Sequence, residues 1–180
     1  MGIATVWGAT AEEVAREYPC DRFVEGGTMG LFRAVTAHAA PETVFRWLCQ
    51  IKVAPYSYDL IDNFGRRSPS ELTPGADDLA LGQRFSRIFE LVDFEPGHQI
   101  TLRIVDRGAL WAFGELAITY AAYAEAPGVT RLVAKVAVST AGGPIRALSR
   151  PPLVWGDLVM MRHQLYRLAA LAEKSEKRAA

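Results

Sequence analysis

The sequence predicts an α+β fold in which an antiparallel sheet packs against one long C-terminal helix. Four runs of alternating apolar and polar residues, at 83–94, 98–106, 110–124 and 130–140, are separated by short glycine-containing turns. This pattern is typical of an antiparallel meander. After the runs, the apolar residues of 152–173 recur at the spacing of one helix face. A helix of this kind needs a surface on which to bury that face, and we expect the sheet to supply it.

Composition limits the class of protein and its partners. The chain has 180 residues, of which 50% are hydrophobic, and 20 basic residues balance 20 acidic ones. That length predicts one domain with a sizeable core. The charge balance gives no overall attraction to nucleic acid, so we do not expect nucleic acid as a partner. We expect no transmembrane segment and no signal peptide, and therefore a cytoplasmic protein. As a separate expectation, the protein is a monomer or a weak homodimer.

The chain divides into an arm, a domain and a tail. Residues 1–27 are predicted to be an N-terminal arm with a short helix, which begins at a capping box of Thr10 and Glu13. Residues 28–174 are predicted to be a single domain, and residues 175–180 a frayed tail. We expect Pro151 and Pro152 in the first turn of the long helix, where a missing backbone N–H is tolerated.

The first half of the domain begins with a predicted strand at 29–38, and a helix is expected to open at Pro41. A second short helix is predicted from Ser57 to Asn63, because Ser57 suits its N-cap and Gly65 its end. Residues 66–83 then form a long connection rich in Ser, Pro, Gly and Asp. Loops of this length often serve as lids, so we predict that residues 66–81 gate a binding site.

Five stretches of the sequence resemble the SRPBCC superfamily and follow its order. They are FRAVTAHAAPETVFRWL from Phe32, PYSYDLIDN from Pro55, FELVDFEPG from Phe89, WAFGELAITY from Trp111 and DLVMMRHQL from Asp157. This superfamily includes START lipid-transfer domains, the birch-pollen allergen and bacterial polyketide cyclase/dehydrase-like proteins. The resemblance covers roughly residues 31–173. It implies a helix-grip fold, in which the sheet wraps the C-terminal helix and leaves an apolar cavity between them.

The faces of the predicted strands and helix indicate which side chains line such a cavity. Ligand pockets are mainly apolar with a few placed polar groups. The alternative is that these large side chains are ordinary core and fill the space themselves. The candidate ligand-binding residues are Tyr58, Arg87, Phe89, Leu102, Ile104, Trp111, Leu116, Ile118, Tyr120, Met161 and Leu165.

The direction of the Arg87 side chain indicates whether the ligand is polar or apolar. Strand alternation from Phe85 through Phe89 points Arg87 inward, but a bulge near Ser86 would reverse that direction. An inward guanidinium predicts an anionic or polar-headed ligand, since arginine cannot neutralise itself. An outward one predicts a purely apolar ligand.

No motif predicts a catalytic residue, a metal or a cofactor. His38, His98 and His163 are dispersed, and the two cysteines make no metal motif. The chain has no nucleophile elbow and no phosphate-binding loop. The superfamily has no shared catalytic motif to carry over either.

Three hypotheses for function follow from these observations. The first is a non-catalytic binder or carrier of a hydrophobic small molecule, which is lipid- or polyketide-like. The second is a polyketide cyclase/dehydrase-type enzyme, which needs two titratable side chains in the cavity, with Tyr58, Asp59, Arg87 and Glu90 as the candidates. The third is a protein-interaction module, which needs a large exposed apolar patch.

Overall fold

The structure is a computed structural model that describes residues 2–58, 65, 67–141 and 144–179, the last with the side chains of 151–178 only. The strands are β1 (Val6–Trp7), β2 (Thr28–Ala37), β3 (Arg84–Phe85), β4 (Phe89–Glu95), β5 (Gln99–Ile104), β6 (Leu116–Ala126) and β7 (Val129–Ser139). The helices are α1 (Ala11–Ala15), α2 (Pro41–Cys49), α3 (Arg107–Phe113) and α4 (Pro144–Ala179), with 3₁₀ turns at Pro19–Phe23 and Gln50–Lys52.

The strands of the described ranges form one seven-stranded sheet in the order β1-β2-β7-β6-β5-β4-β3. Neighbouring strands are antiparallel, except that β1 runs parallel to β2. The first long strand, β2, lies beside the last, β7, with a continuous register from Thr28 opposite Ser139 to Ala37 opposite Thr130. One face of this sheet packs against α4, which confirms the predicted α+β helix-grip fold.

The two faces of β2 show how the sheet is covered on both sides. Leu31 and Val35 belong to the core that α4 completes, and Arg33 shares their face by strand alternation. Phe32 and Ala34 point the other way, into a smaller core closed by the 3₁₀ turn that begins at Pro19. The segment from Tyr18 to Val24 therefore covers one side of the sheet, and α2 and α4 together cover the other.

The capping box predicted for α1 is present. Glu13 N–H donates to Thr10 Oγ1 at 3.2 Å, and Thr10 N–H donates to Glu13 Oε2 at 2.8 Å. Glu13 also accepts a hydrogen bond from Arg131 Nε of β7 at 2.8 Å. The carboxylate that caps the helix thus also ties the N-terminal segment to the sheet.

The long helix is longer than predicted at both ends. It begins at Pro144, so Pro151 and Pro152 lie inside it and their predicted place in the first turn is wrong. Proline has no backbone N–H, so each of the two leaves one helical carbonyl without its usual donor. Both proline rings are exposed, and on the exposed side such carbonyls can turn toward water. The helix continues to Ala179, through residues 175–179 where a tail is predicted, and Trp47 Nε1 donates to Ser175 Oγ in this segment at 3.0 Å.

The predicted strand at 110–124 is wrong in its first half. Asp106 accepts a hydrogen bond from Ala109 N–H at 2.9 Å and caps α3, and Gly114, with a φ of 77°, ends that helix. A glycine adopts such a φ without the steric cost that a Cβ brings. The strand β6 begins only after this glycine, at Leu116.

The predicted run 83–94 is two strands, but a turn and not a bulge joins them. Residues 86–88 form this turn between β3 and β4, and Ser86 has a φ of 50°. The register shift in this part of the sheet lies further on, between Leu91 and Asp93. Alternation along β3 therefore does not carry through to β4.

The described part of the loop predicted as a gate is packed against the end of α2. Lys52 Nζ donates to the carbonyls of Gly75 at 3.1 Å and Asp78 at 3.0 Å, and Ala76 is buried. None of its described residues lines the cavity reported below, so the prediction of a gate is wrong for them. The helix predicted from Ser57 to Asn63 falls mostly on residues outside the described ranges. In the described helices, no segment is long and apolar enough to cross a membrane.

Candidate ligand-binding site

A cavity of about 920 Å³ lies between the concave face of the sheet and α4. The segment Ile51–Ser57 contributes to one part of its wall, and α3 contributes another part through Ala112 and Phe113. This volume falls in the range of roughly 300–1,000 Å³ that is usual for sites of small organic ligands. The side chains from the sheet are mainly aliphatic, and those from α4 are Pro152, Leu153, Asp157, Met160, Met161 and Gln164.

Most of the residues predicted from the sequence are on the wall of this cavity. The sheet brings six of them together because they have the same direction on the adjacent strands β4, β5 and β6, whereas Arg87 comes from the turn before β4 and Met161 from α4. They are Arg87, Phe89, Leu102, Ile104, Leu116, Ile118, Tyr120 and Met161. Their contact with a ligand remains a prediction.

Three of the predicted residues do not line the cavity. Trp111 is 84% exposed, because it lies on α3 and not on a strand. Tyr58 is 37% exposed and stacks on His163, with ring centroids 4.6 Å apart. Leu165 is fully buried in the core, one helical turn beyond Met161. Asp59, a candidate of the enzyme hypothesis, lies outside the described residues.

Arg87 lies at the rim of the cavity. It is exposed and belongs to the turn between β3 and β4, yet it contributes to the cavity wall. Residues of a tight turn do not follow strand alternation, so neither the inward nor the outward prediction describes it. Glu90, the neighbouring candidate, is on β4 and outside the cavity lining.

A buried hydrogen-bond chain connects the sheet to α4 inside the cavity. The Tyr120 hydroxyl donates to Gln164 Oε1 at 2.8 Å, and Gln164 Nε2 donates to the carbonyl of Pro55. Met161 Sδ lies 3.5 Å from the same hydroxyl. Burial, and next the charge of Asp157, raise the pKa of Tyr120 well above its ordinary value. The hydroxyl therefore stays neutral at physiological pH.

A buried ion pair contributes a second polar group to the cavity wall through Asp157. The guanidinium of Arg33 is fully buried, and its Nη2 lies 2.9 Å from Asp157 Oδ2. It also donates to the carbonyls of Ala4 at 2.8 Å, Thr5 at 3.1 Å and Phe32 at 2.9 Å. Burial raises the pKa of Asp157 to about 6, although the positive charge of Arg33 opposes the shift.

The sequence reasoning missed both members of this pair. The available signal was the alternation in β2, which gives Arg33 the same direction as the apolar Leu31 and Val35. On α4, Asp157 precedes Met161 by four residues and therefore lies on its face. A charged residue at an apolar position of each element indicates a buried pair, because a buried charge needs a partner.

The outer face of α4 exposes apolar side chains. Trp155, Val159 and Tyr166 are each about half exposed, and Tyr166 contacts Trp7 with ring centroids 5.5 Å apart. The interaction-module hypothesis needs such a surface and stays a prediction. Among the described side chains, no three His, Cys, Asp or Glu residues are grouped so that they could hold a metal ion.

Comparisons with known proteins show similarity in fold. No protein-family model and no curated protein matches the sequence. A norcoclaurine synthase structure from Thalictrum flavum, in complex with dopamine and hydroxybenzaldehyde, is 13% identical with a TM-score of 0.51, over 89% of this chain and 94% of that one. A solution NMR structure from Thermobifida fusca is 12% identical with a TM-score of 0.52, over 79% and 94%.

A third solved structure is the Zhui aromatase/cyclase from Streptomyces sp. R1128. It is 16% identical with a TM-score of 0.48, over 86% of this chain and 97% of that one. At these identities the likeness concerns the fold alone. The resemblance to the SRPBCC superfamily is confirmed at that level: the chain has its helix-grip fold.

Proposed function

We propose that the protein binds a hydrophobic small molecule, lipid- or polyketide-like, in the cavity between the sheet and α4. The observation that carries this proposal is a cavity of about 920 Å³ whose wall is mainly apolar. A ligand that enters such a space leaves water, and each buried CH₂ group contributes about 0.8 kcal/mol. The two aromatic compounds in the norcoclaurine synthase complex support a ligand of aromatic size in this fold.

Gly156 offers a direct test of this proposal. It lines the cavity, and a Cβ added there would meet nothing within 4 Å. In a fluorescence titration with N-phenyl-1-naphthylamine, an apolar dye, we expect saturable binding to the wild type. Gly156→Phe fills part of the cavity and should weaken binding at least about tenfold, which corresponds to 1.4 kcal/mol.

Gly156→Ala is the matched control. Like Gly156→Phe, it removes the backbone freedom of the glycine, but it adds only a methyl group. It should keep the dye affinity of the wild type. If the wild type does not bind the dye, or if Gly156→Phe binds it unchanged, the cavity is not the binding site. Native mass spectrometry of the purified protein then measures the mass of any ligand retained from the expression host.

A second candidate function is acid–base catalysis of the cyclase/dehydrase type. It is favoured by the Asp157 carboxyl, whose pKa is raised to about 6 by burial, on the wall of the same cavity as Tyr120. A carboxyl that titrates near neutral pH can both take and return a proton. Of the candidates that the sequence suggested for this role, Arg87 lines the same cavity and Asp59 lies outside the described residues.

Enolisation of a model compound tests this second function. The carboxylate of Asp157 would take an α-proton of benzoylacetone, and solvent D₂O would return a deuteron, which NMR detects. Asp157→Asn should slow the exchange by about a hundredfold or more if the carboxylate is the base, which is the usual contribution of a general base. Asp77→Asn, a carboxylate outside the cavity that pairs with Arg46, is the control. If the wild type, Asp157→Asn and Asp77→Asn exchange at equal rates, Asp157 is not a base for this reaction and ligand binding remains as the proposed function.

A further inference from the structure

The direction of the hydrogen bonds around Tyr120 is fixed by chemistry. The Pro55 carbonyl can only accept, so the amide nitrogen of Gln164 must face it. Gln164 Oε1 then faces Tyr120, and the phenolic O–H must donate to it over 2.8 Å. The single proton of Tyr120 is thereby used, and its oxygen offers only lone pairs to the cavity.

Asp157 gives the cavity a second acceptor nearby. Asp157, Met161 and Gln164 follow one another at the spacing of adjacent helical turns, so they share one face of α4. The side chain of Asp157 is 16% exposed and belongs to the cavity wall. Its Oδ2 is buried and lies 2.9 Å from Arg33 Nη2. An ionised carboxylate only accepts.

Among the described residues of the cavity wall, the one arginine is Arg87, and it lies at the exposed rim. It precedes β4, whereas Tyr120 lies on β6 with β5 between them, and Arg33, the partner of Asp157, lies on β2 at the other side of the sheet. A ligand carboxylate would therefore find its cationic partner at the exposed rim. At the Asp157 end it would meet two acceptors and be repelled.

We infer that the polar end of the ligand is a hydrogen-bond donor, namely an alcohol, a phenol or an amine, which lies between Asp157 and Tyr120. This inference rests on the proposed function, because it assigns the ligand class of the same cavity. The apolar remainder of the ligand contacts Leu102, Ile118 and Met161. An ether of the same shape lacks the donor, and a carboxylate adds the wrong charge.

Three naphthalenes of similar shape separate these cases by isothermal titration calorimetry at pH 7.5: 2-naphthol, 2-methoxynaphthalene and 2-naphthoate. We expect 2-naphthol to bind about tenfold more tightly than 2-methoxynaphthalene, which corresponds to 1.4 kcal/mol, close to the value of a hydrogen bond to a charged group. We expect 2-naphthoate to bind most weakly.

Two variants test which residues cause the preference for 2-naphthol over 2-methoxynaphthalene. Asp157→Asn and Tyr120→Phe should each reduce the ratio of naphthol to methoxynaphthalene affinity, whereas the control Asp77→Asn should keep it. If Asp157→Asn does not fold, Tyr120→Phe and the three affinities of the wild type still test whether the cavity prefers a hydrogen-bond donor. Asp157 faces Arg33 from β2 and Tyr120 from β6. Because Tyr120 and Arg33 do not titrate near neutrality, the preference should also decline below pH 6, where Asp157 gains its proton.

The outcomes distinguish this inference from the proposed function. If all three naphthalenes bind with equal affinity, the cavity is a binding site but the donor preference is wrong. If 2-naphthoate binds most tightly, the donor preference is again wrong and the ligand is an acid. If none of the three binds, the proposed function fails, and this inference fails with it.

Discussion

The guanidinium of Arg33 lies 2.9 Å from the carboxylate of Asp157, and this contact joins three parts of the molecule. Arg33 belongs to β2 and also binds the carbonyls of Ala4 and Thr5 near the N-terminus. Asp157 belongs to α4 and faces the cavity. Because arginine keeps its charge when it is buried, these partners must stay in place in the folded state. The candidate ligand site is thus connected to the N-terminal segment.

Arg33→Met should destabilise the protein by about 3–5 kcal/mol, because it removes the cationic partner of the Asp157 carboxylate and the guanidinium donor to the carbonyls of Ala4, Thr5 and Phe32. Urea unfolding measures the change. Arg46→Met is the control, since Arg46 pairs with Asp77 at 3.4 Å on the surface, and its loss should cost less than about 1 kcal/mol. Similar costs for the two variants would contradict a buried Arg33–Asp157 pair.

The titration of Asp157 gives a pH-dependent prediction. Burial raises the pKa of its carboxyl to about 6, against 3.8 for an ordinary aspartate. The folded protein holds this proton more tightly than the unfolded chain does. The contribution of Asp157 to stability is therefore fully present below pH 3.8 and is lost as the pH rises through about 6.

Carbon-13 NMR of the side-chain carboxyl measures this midpoint directly. Urea unfolding between pH 4 and 7 should also show a decline in the stability of the wild type relative to Asp157→Asn as the pH rises. A carboxyl midpoint near the ordinary value of about 3.9 would show that Asp157 is solvated.

Leu165→Ala should lower the free energy of unfolding by about 2–5 kcal/mol, because Leu165 is fully buried between α4 and the sheet. Leu81→Ala removes the same atoms at a position that is 65% exposed. Its cost should stay within about 0.5 kcal/mol, as is usual for surface sites. If Leu165→Ala costs no more than Leu81→Ala, the packing of α4 on the sheet is wrong.

Gly156→Ala should stabilise the protein by about 0.5–1 kcal/mol. Glycine inside a helix is less favourable than alanine, and a Cβ at this position meets nothing within 4 Å. Thermal unfolding measures the gain. A lower melting temperature would show that the space beside Gly156 is filled.

The sequence was sufficient where one periodicity prevailed. Strict alternation in Ile100, Leu102 and Ile104 predicted β5, and the apolar stripe of α4 predicted its buried face. Near Trp111 the apolar residues fit either a strand or a helix. In the structure this segment is a helix, which Asp106 caps and Gly114 ends. Both residues are visible in the sequence, but the apolar pattern there favoured a strand.

Other features depend on contacts between distant parts of the chain. The loop after residue 67 is fixed by Lys52, which binds backbone carbonyls, and carbonyls carry no sequence signal. The pairing of Arg33 with Asp157 depends on where α4 crosses β2. Alternation identifies Arg33 as an inward charge, but it does not identify the partner.

A crystal of the wild-type protein soaked with 6-bromo-2-naphthol tests the cavity most directly. The anomalous signal of bromine gives the position of one end of the ligand, and the electron density gives the other. We predict that the rings lie between Leu102 and Met161, with the hydroxyl within hydrogen-bond distance of Asp157 or Tyr120. A bromine peak only against the exposed Trp111 or Trp155, with no ligand density between the sheet and α4, would contradict a ligand-binding cavity.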